Sequence, residues 1–215
     1  MKALILIFCI YGLSACSAHV APSSAIKPIR NINNLQHLNI AIDTPFIERP
    51  QLDKFSICHG NTCAKFAYIS LSSPQWQNIE VLFQPEATSA KQERGQIKLA
   101  IALFETYSGE QAGTDKDKAK NDLSGGIHGQ LDCIDEATNT TVYLRLLANA
   151  GLLKRHRQAS RTSRGGLLSP HNTATIIDTE SSTRYAVDSW FYENGVAPEI
   201  LPLSKWKSGW KPEND

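Results

Sequence analysis

Gln130-Leu131-Asp132-Cys133-Ile134-Asp135-Glu136-Ala137 is the stretch from which the rest of the chain is read. It has the form of a helix start. Asp132 is placed to cap the first turn, and Asp135 stands at the third helical position, a variant of the reciprocal capping box. Ile134, Ala137, Thr141, Leu144 and Ala148 then recur at helical spacing and predict one buried face. Gly151 supplies the stop. The helix therefore begins with a cysteine in its first turn, at the positive end of the helix dipole, which favours a thiolate. Asp132 and Asp135 oppose that effect by like charge.

Downstream, Asn172–Ile177 and Arg184–Phe191 alternate or run apolar and β-branched, which predicts two strands joined by a turn within Asp178–Thr183. Between helix and strands, Leu152 to Pro170 is polar and carries Lys154, Arg155, Arg157, Arg161 and Arg164. A basic run of this kind attracts acidic peptide or lipid phosphate, or else is a solvated loop, the reading preferred here. Upstream, Ser72-Ser73-Pro74 marks a short helix to about Phe83, with a serine cap and proline in the first turn. A longer helix is expected from about Ser89 to Tyr107, with Ile97, Ala100, Ile101 and Phe104 on its apolar face. Gly109 to Gly129 reads as a loop. Helices followed by an antiparallel sheet give an α+β order.

Lys54–Ile57 and Ala64–Leu71 flank Cys58-His59-Gly60-Asn61-Thr62-Cys63, a hairpin signal with a polar Gly-Asn turn. A disulfide between Cys58 and Cys63 is the simplest reading. Haem attachment requires Cys-x-x-Cys-His, which this segment lacks. His59 reads as an exposed turn residue. Cys133 is then left free, unless it pairs with Cys58 or Cys63.

A free thiol becomes a nucleophile only with a base and a group that orients the base. His171 opens the first predicted strand and Asp188 lies near the end of the second. They stand directly opposite if the turn is centred between Thr179 and Glu180, and offset if the centre falls later. The three stretches Gln130–Ala137, Pro170-His171-Asn172-Thr173-Ala174 and Tyr185-Ala186-Val187-Asp188 resemble the motifs of bacterial transglutaminase-like cysteine proteases. Those proteins open the catalytic helix with Asp-Cys-x-Asp-x-Ala. The resemblance covers roughly Gly129 to Phe191. It implies a transglutaminase/papain-like α+β fold, with the nucleophile helix packed on an antiparallel sheet. It also implies Cys133 as nucleophile, His171 as general base and acid, and Asp188 as orienting carboxylate. The backbone N–H of Cys133, with Gln130 as a candidate side-chain donor, would hold the oxyanion. No cofactor is implied. The chain departs from the family where Asn172-Thr173 follows the histidine in place of Ala-Val or Ala-Trp. The alternative is a degenerate site in which Cys133 is a buried small hydrophobe, His171 a strand-end histidine and Asp188 a turn residue. A metal on His128, Cys133 and His171 lacks the spacing of a zinc site.

The N-terminus carries a separate message. Met1-Lys2 precedes a short apolar run to Gly12, the layout of a secretory signal and too short to span a bilayer. Leu13-Ser14-Ala15-Cys16 resembles the lipobox of bacterial lipoproteins. That implies cleavage after residue 15 and lipidation of Cys16. Cys9 is rejected because Phe8 would occupy the small-residue position. Ser17 after the cysteine, in place of Asp, implies sorting to the outer membrane on its periplasmic face. Each buried acyl methylene contributes about 0.8 kcal/mol to such an anchor. The other reading is ordinary signal cleavage, with Cys16 a bystander. Residues 16–35 read as lipidated terminus and tether, and residues 36–215 as one domain.

The 215-residue chain is 41% hydrophobic and 20% charged, ordinary for a globular protein, and its net charge of +1 gives no global signal for nucleic acid. The expected partners are a membrane, through Cys16, and a protein or peptide substrate. Trp206 and Trp210 are expected to pin the C-terminal tail to the domain.

Overall fold

The structure, a computed structural model, describes residues 46–121, 129–166 and 170–213. Cys16, the lipobox, the tether, Gln36 and His128 lie outside the described residues. Among the described residues no helix is long and apolar enough to cross a membrane.

A hairpin comes first. Strands β1 (Phe55–His59) and β2 (Lys65–Ile69) pair antiparallel, with Phe55 opposite Ile69 and His59 opposite Lys65. Phe55, Ile57 and Ile69 turn into the main core. Helix α1 (Ser73–Glu80) starts with the expected serine cap: Ser72 accepts from the Gln75 backbone, and the Gln75 side chain accepts from the Ser72 N–H. A single 3₁₀ turn, Val81–Phe83, follows. Helix α2 (Ala90–Ala112) buries Ile97, Ala100, Ile101 and Phe104. It outruns the expected end near Tyr107, because Gly109 is not a breaker. A Cβ at that position would stand 2.8 Å from Asn194 Nδ2, so the glycine lets a side chain press against the helix. The stop is Gly113, in the left-handed conformation at φ 72°.

Helix α3 (Cys133–Asn149) is more deeply enclosed than one apolar stripe predicts. Thr138, Asn139, Thr140, Val142, Tyr143 and Leu147 are buried as well as Ala137 and Leu144, while Ala148 is exposed. The helix is central, covered by β1 on one side and by the larger sheet on another. Two of its threonine hydroxyls bond the preceding turn, Thr138 donating to Ile134 O and Thr141 to Ala137 O, both at 2.7 Å, while Thr140 meets Ser189.

The second sheet runs β3 (His156–Arg164), β4 (His171–Asp178), β5 (Arg184–Asp188) and β6 (Glu199–Pro202), antiparallel throughout. The basic run is thus an edge strand, not a loop. Lacking an apolar alternation, it pairs through backbone with β4, from His156 opposite Asp178 to Arg164 opposite His171, across a bulge between Ala159 and Thr162. Ala174, Ile176 and Val187 face α3 in the main core; Ala186 and Leu201 face the other way, against Trp206 of helix α4 (Leu203–Lys207). The architecture is α+β: a hairpin and a four-stranded sheet enclosing α3. The hairpin precedes the helices, as read from the sequence, and the four-stranded sheet follows them.

Candidate functional site

The N-terminus of α3 is built by carboxylates. Asp132 Oδ1 accepts the Ile134 and Asp135 N–H groups, both at 2.9 Å. Asp135 accepts the Asp132 N–H at 3.4 Å, which closes the capping box. These two side chains also hold the hairpin turn. Asn61 and Cys63 donate their N–H groups to Asp135 at 2.9 and 2.6 Å, and Thr62 donates to Asp132 at 2.7 Å. This convergence depends on an unusual backbone: Gly60, Asn61, Thr62 and Cys63 all have positive φ, between 52° and 83°. Successive left-handed residues turn their N–H groups to one side, forming a concave donor nest. Asn139 adds a second fastening, accepting from Cys58 N at 2.6 Å and donating to Cys58 O at 2.9 Å. Cys58 and Cys63 are joined by a disulfide, with Cα atoms 4.7 Å apart. Burial, with the charge of Asp132 adding to it, pushes the Asp135 carboxyl up to about 8 despite its N–H partners.

Cys133 is the first residue of this clamped helix and is a free thiol, 9% exposed. Its sulfur rests on the start of β4. The S–H lies 3.7 Å from Pro170 O, and Asn172 Nδ2 donates to Sγ from 3.8 Å. These partners are the two chain neighbours of His171. Burial raises the thiol to about 11; hydrogen bonds from the Asn172 backbone and side chain lower it, and the charges of Asp132 and Asp188 raise it further.

His171 and Asp188 meet directly, Nε2 to Oδ2 at 2.7 Å. The register explains how. Ala174 stands opposite Val187 and Thr175 opposite Ala186, so the turn is centred between Glu180 and Ser181, one residue later than direct opposition requires. Extending the ladder places Asp188 across from Thr173. His171 is therefore its diagonal neighbour on the same face, still within reach of a long side chain. The indole Nε1–H of Trp206 donates to the same Asp188 oxygen at 2.6 Å. Trp190, Phe191 and Trp206 surround the imidazole, with ring centroids 4.6, 5.5 and 5.4 Å away. Asp188 is 1% exposed and the His171 side chain 13%.

Strand alternation assigns His171 to the Trp206 face and Asn172 to the α3 face. The side chain bonded to the sulfur is accordingly Asn172, and among the described residues no hydrogen bond joins Cys133 to the imidazole. The structure thus brings His171 and Asp188 together, and sets Cys133 against the backbone on either side of that histidine. Gln130 is engaged elsewhere. Its amide donates to Lys116 O at 2.9 Å and accepts from Lys118 N and Asn121 Nδ2, both at 3.2 Å, tying the loop after α2. Sequence reasoning missed two participants. Asn172 was legible only as a departure from the family motif. Trp206 carried the signal of a buried tail residue, not of a carboxylate partner.

Behind the site lies a group of buried acids. Asp117 hydrogen-bonds Glu136 and holds the Leu131 N–H at 2.7 Å, while Glu105 accepts from Gly195 N at 3.2 Å. Burial raises all three: Asp117 to about 6, Glu105 to about 7, and Glu136 well above the usual range.

No family model, curated protein or solved structure matches this chain.

Proposed function

We propose that the chain is a thiol-dependent acyl-transfer enzyme of the transglutaminase-like, papain-fold type, working on proteins or peptides of the cell envelope. The observation that carries this reading is the Cys133 sulfur against Pro170 and Asn172, on either side of a histidine whose Nε2 is bound to a buried carboxylate. With Nε2–H held by Asp188, Nδ1 is the lone-pair nitrogen, the tautomer a general base requires. The reaction needs the sulfur to leave Pro170 O and take Nδ1 as its partner. Because the imidazole lies on the face of β4 turned away from α3, this exchange requires the two side chains to meet around the first residue of the strand.

Nδ1 then removes the thiol proton as Sγ attacks the carboxamide carbon. The tetrahedral oxyanion is held by the Cys133 N–H at the helix start. Collapse breaks the C–N bond, and the imidazolium returns its proton to the departing amine, leaving a thioester on Cys133. Water, or a second amine, gives a proton to Nδ1 and displaces the thiol. With the thiol raised to about 11 by burial, the nucleophile must ionise by transfer to the imidazole in the encounter, since no standing thiolate is available at neutral pH. Cys16 as a lipid anchor would hold this chemistry at the periplasmic face of the outer membrane.

The second reading is a non-catalytic envelope module, favoured by the same buried thiol and its asparagine partner. Alkylation of Cys133 by iodoacetamide between pH 6 and 9 separates the two. The enzyme reading expects a rate at pH 7.5 that drops at least tenfold in His171→Ala. Equal, slow rates in parent and variant leave only the module.

A further inference from the structure

The outer face of the four-stranded sheet carries four cations, of which Arg164 alone feels a nearby acid, the buried Asp188. Arg157, Ile177 and Arg184 are register partners across three strands, so the two arginines share a face, with their backbones about 10 Å apart. Partial burial, and then the charge of Arg157, lower the proton affinity of Arg184; partial burial, and then the charge of Arg184, lower that of Lys207. Arg164 is the register partner of His171 and lies over the Trp206 ring, 4.5 Å from its centroid. The hydrogen-bond acceptors of these side chains are neutral: Arg184 bonds Ser160 and Thr175, Lys207 bonds Ser163 O, and Arg164 bonds Trp206 O. Among the described residues none of the four forms an ion pair. None of the acids nearby forms an ion pair with these cations. Asp188 is buried under His171 and Trp206, Glu199 is held by Lys98 at 3.3 Å and Tyr192 at 2.9 Å, and Glu180 stands out in the turn.

Like charges gathered on one face in excess of the acids beside them raise the local potential and attract an anionic ligand. From the Ile177 row to the His171 row is about 20 Å at the rise of a strand, the length of roughly six extended residues. We infer that this face is a docking strip for an acidic, extended polypeptide segment, its carboxylates lying along Arg157, Arg184, Lys207 and Arg164 and leading its chain to His171. The inference rests on the proposed acyl-transfer site and names its substrate class. A narrow line along an edge strand that ends at the candidate base matches an extended chain better than a planar lipid surface.

The test measures binding apart from turnover. The full chain carrying Cys133→Ala is titrated against a fluorescein-labelled peptide of ten glutamates, with a ten-lysine peptide and phosphatidylcholine–phosphatidylglycerol vesicles alongside. The strip requires glutamate binding that weakens as salt rises. It also requires at least a tenfold loss in the double variant Arg157→Glu/Lys207→Glu, whose side chains are exposed. Undiminished binding in that variant, equal binding of the lysine peptide, or vesicle capture exceeding glutamate binding overturns the proposal. Glutamate binding that persists while alkylation ignores His171→Ala removes only the enzyme reading. The reverse pair of results removes only the strip.

Discussion

Replacing Asp135 with alanine should unfasten the hairpin turn from α3, and the cost can be worked from the bonds it severs. Two backbone donors lose their acceptor: the N–H of fully buried Cys63, at 2.6 Å, and that of half-buried Asn61, at 2.9 Å. A buried donor left unpaired costs about 1–3 kcal/mol, with the half-buried one near the lower end. The capping box also loses a member, worth up to about 1 kcal/mol. The sum is about 4 kcal/mol, a large share of the stability of an ordinary domain. With a urea slope of about 2 kcal/mol per M, the unfolding midpoint falls by about 2 M. The assay is equilibrium urea unfolding followed by tryptophan fluorescence at pH 6. There the Asp135 carboxyl, raised to about 8, is already neutral, and loss of a charge does not enter. Asp135→Asn keeps one oxygen acceptor and should lose about half as much. A midpoint for Asp135→Ala within about 0.3 M of the parent would refute the view that this side chain organises the turn.

Further expectations follow from the same contacts. Burial raises Glu105 from 4.5 to about 7 and Asp117 from 3.8 to about 6, so the folded state holds their protons more tightly than the unfolded chain. Their contribution is fully present below about pH 4 and is lost as pH rises through 6 and 7, so the urea midpoint should fall between about pH 4 and 7. Glu105→Gln should remove about 3 kcal/mol of that total loss of stability, and an unchanged pH dependence would contradict it. Trp206→Phe deletes the N–H that reaches Asp188 while keeping a ring in place. It should destabilise by about 2 kcal/mol, as for a hydrogen bond to a charged group, read by the same urea titration. Metabolic palmitate labelling should vanish in Cys16→Ser; undiminished labelling would overturn the anchor.

The helix start at Asp132 was legible because capping is local: the donor and acceptor lie within three residues. The contact between His171 and Asp188 was legible only as a condition on the turn. What saved it is parity. Moving the turn centre by one residue moves the opposing partner by two, so the pair became diagonal without changing face. Strand β3 was hidden because Arg157, Ser160, Arg161, Ser163 and Arg164 give no apolar rhythm, and an edge strand needs only backbone to join a sheet. The depth of α3 was hidden for a related reason. Glu136, Thr138, Asn139 and Thr140 are not among the residues expected to be buried, yet each is enclosed between the two sheets. The sulfur's partner depends on which face of β4 meets α3, a tertiary fact that no local pattern carries.

The left-handed run from Gly60 to Cys63 has a consequence for how the molecule comes apart. Three of its residues carry side chains in a conformation that costs each about 1–2 kcal/mol. The disulfide closes so short a ring that its entropic gain, about 2 kcal/mol, does not cover that expense. An excised hairpin peptide, even oxidised, should therefore relax to another shape. The turn borrows its conformation from a helix some seventy positions away, so hairpin and helix order together and melt as one cooperative block.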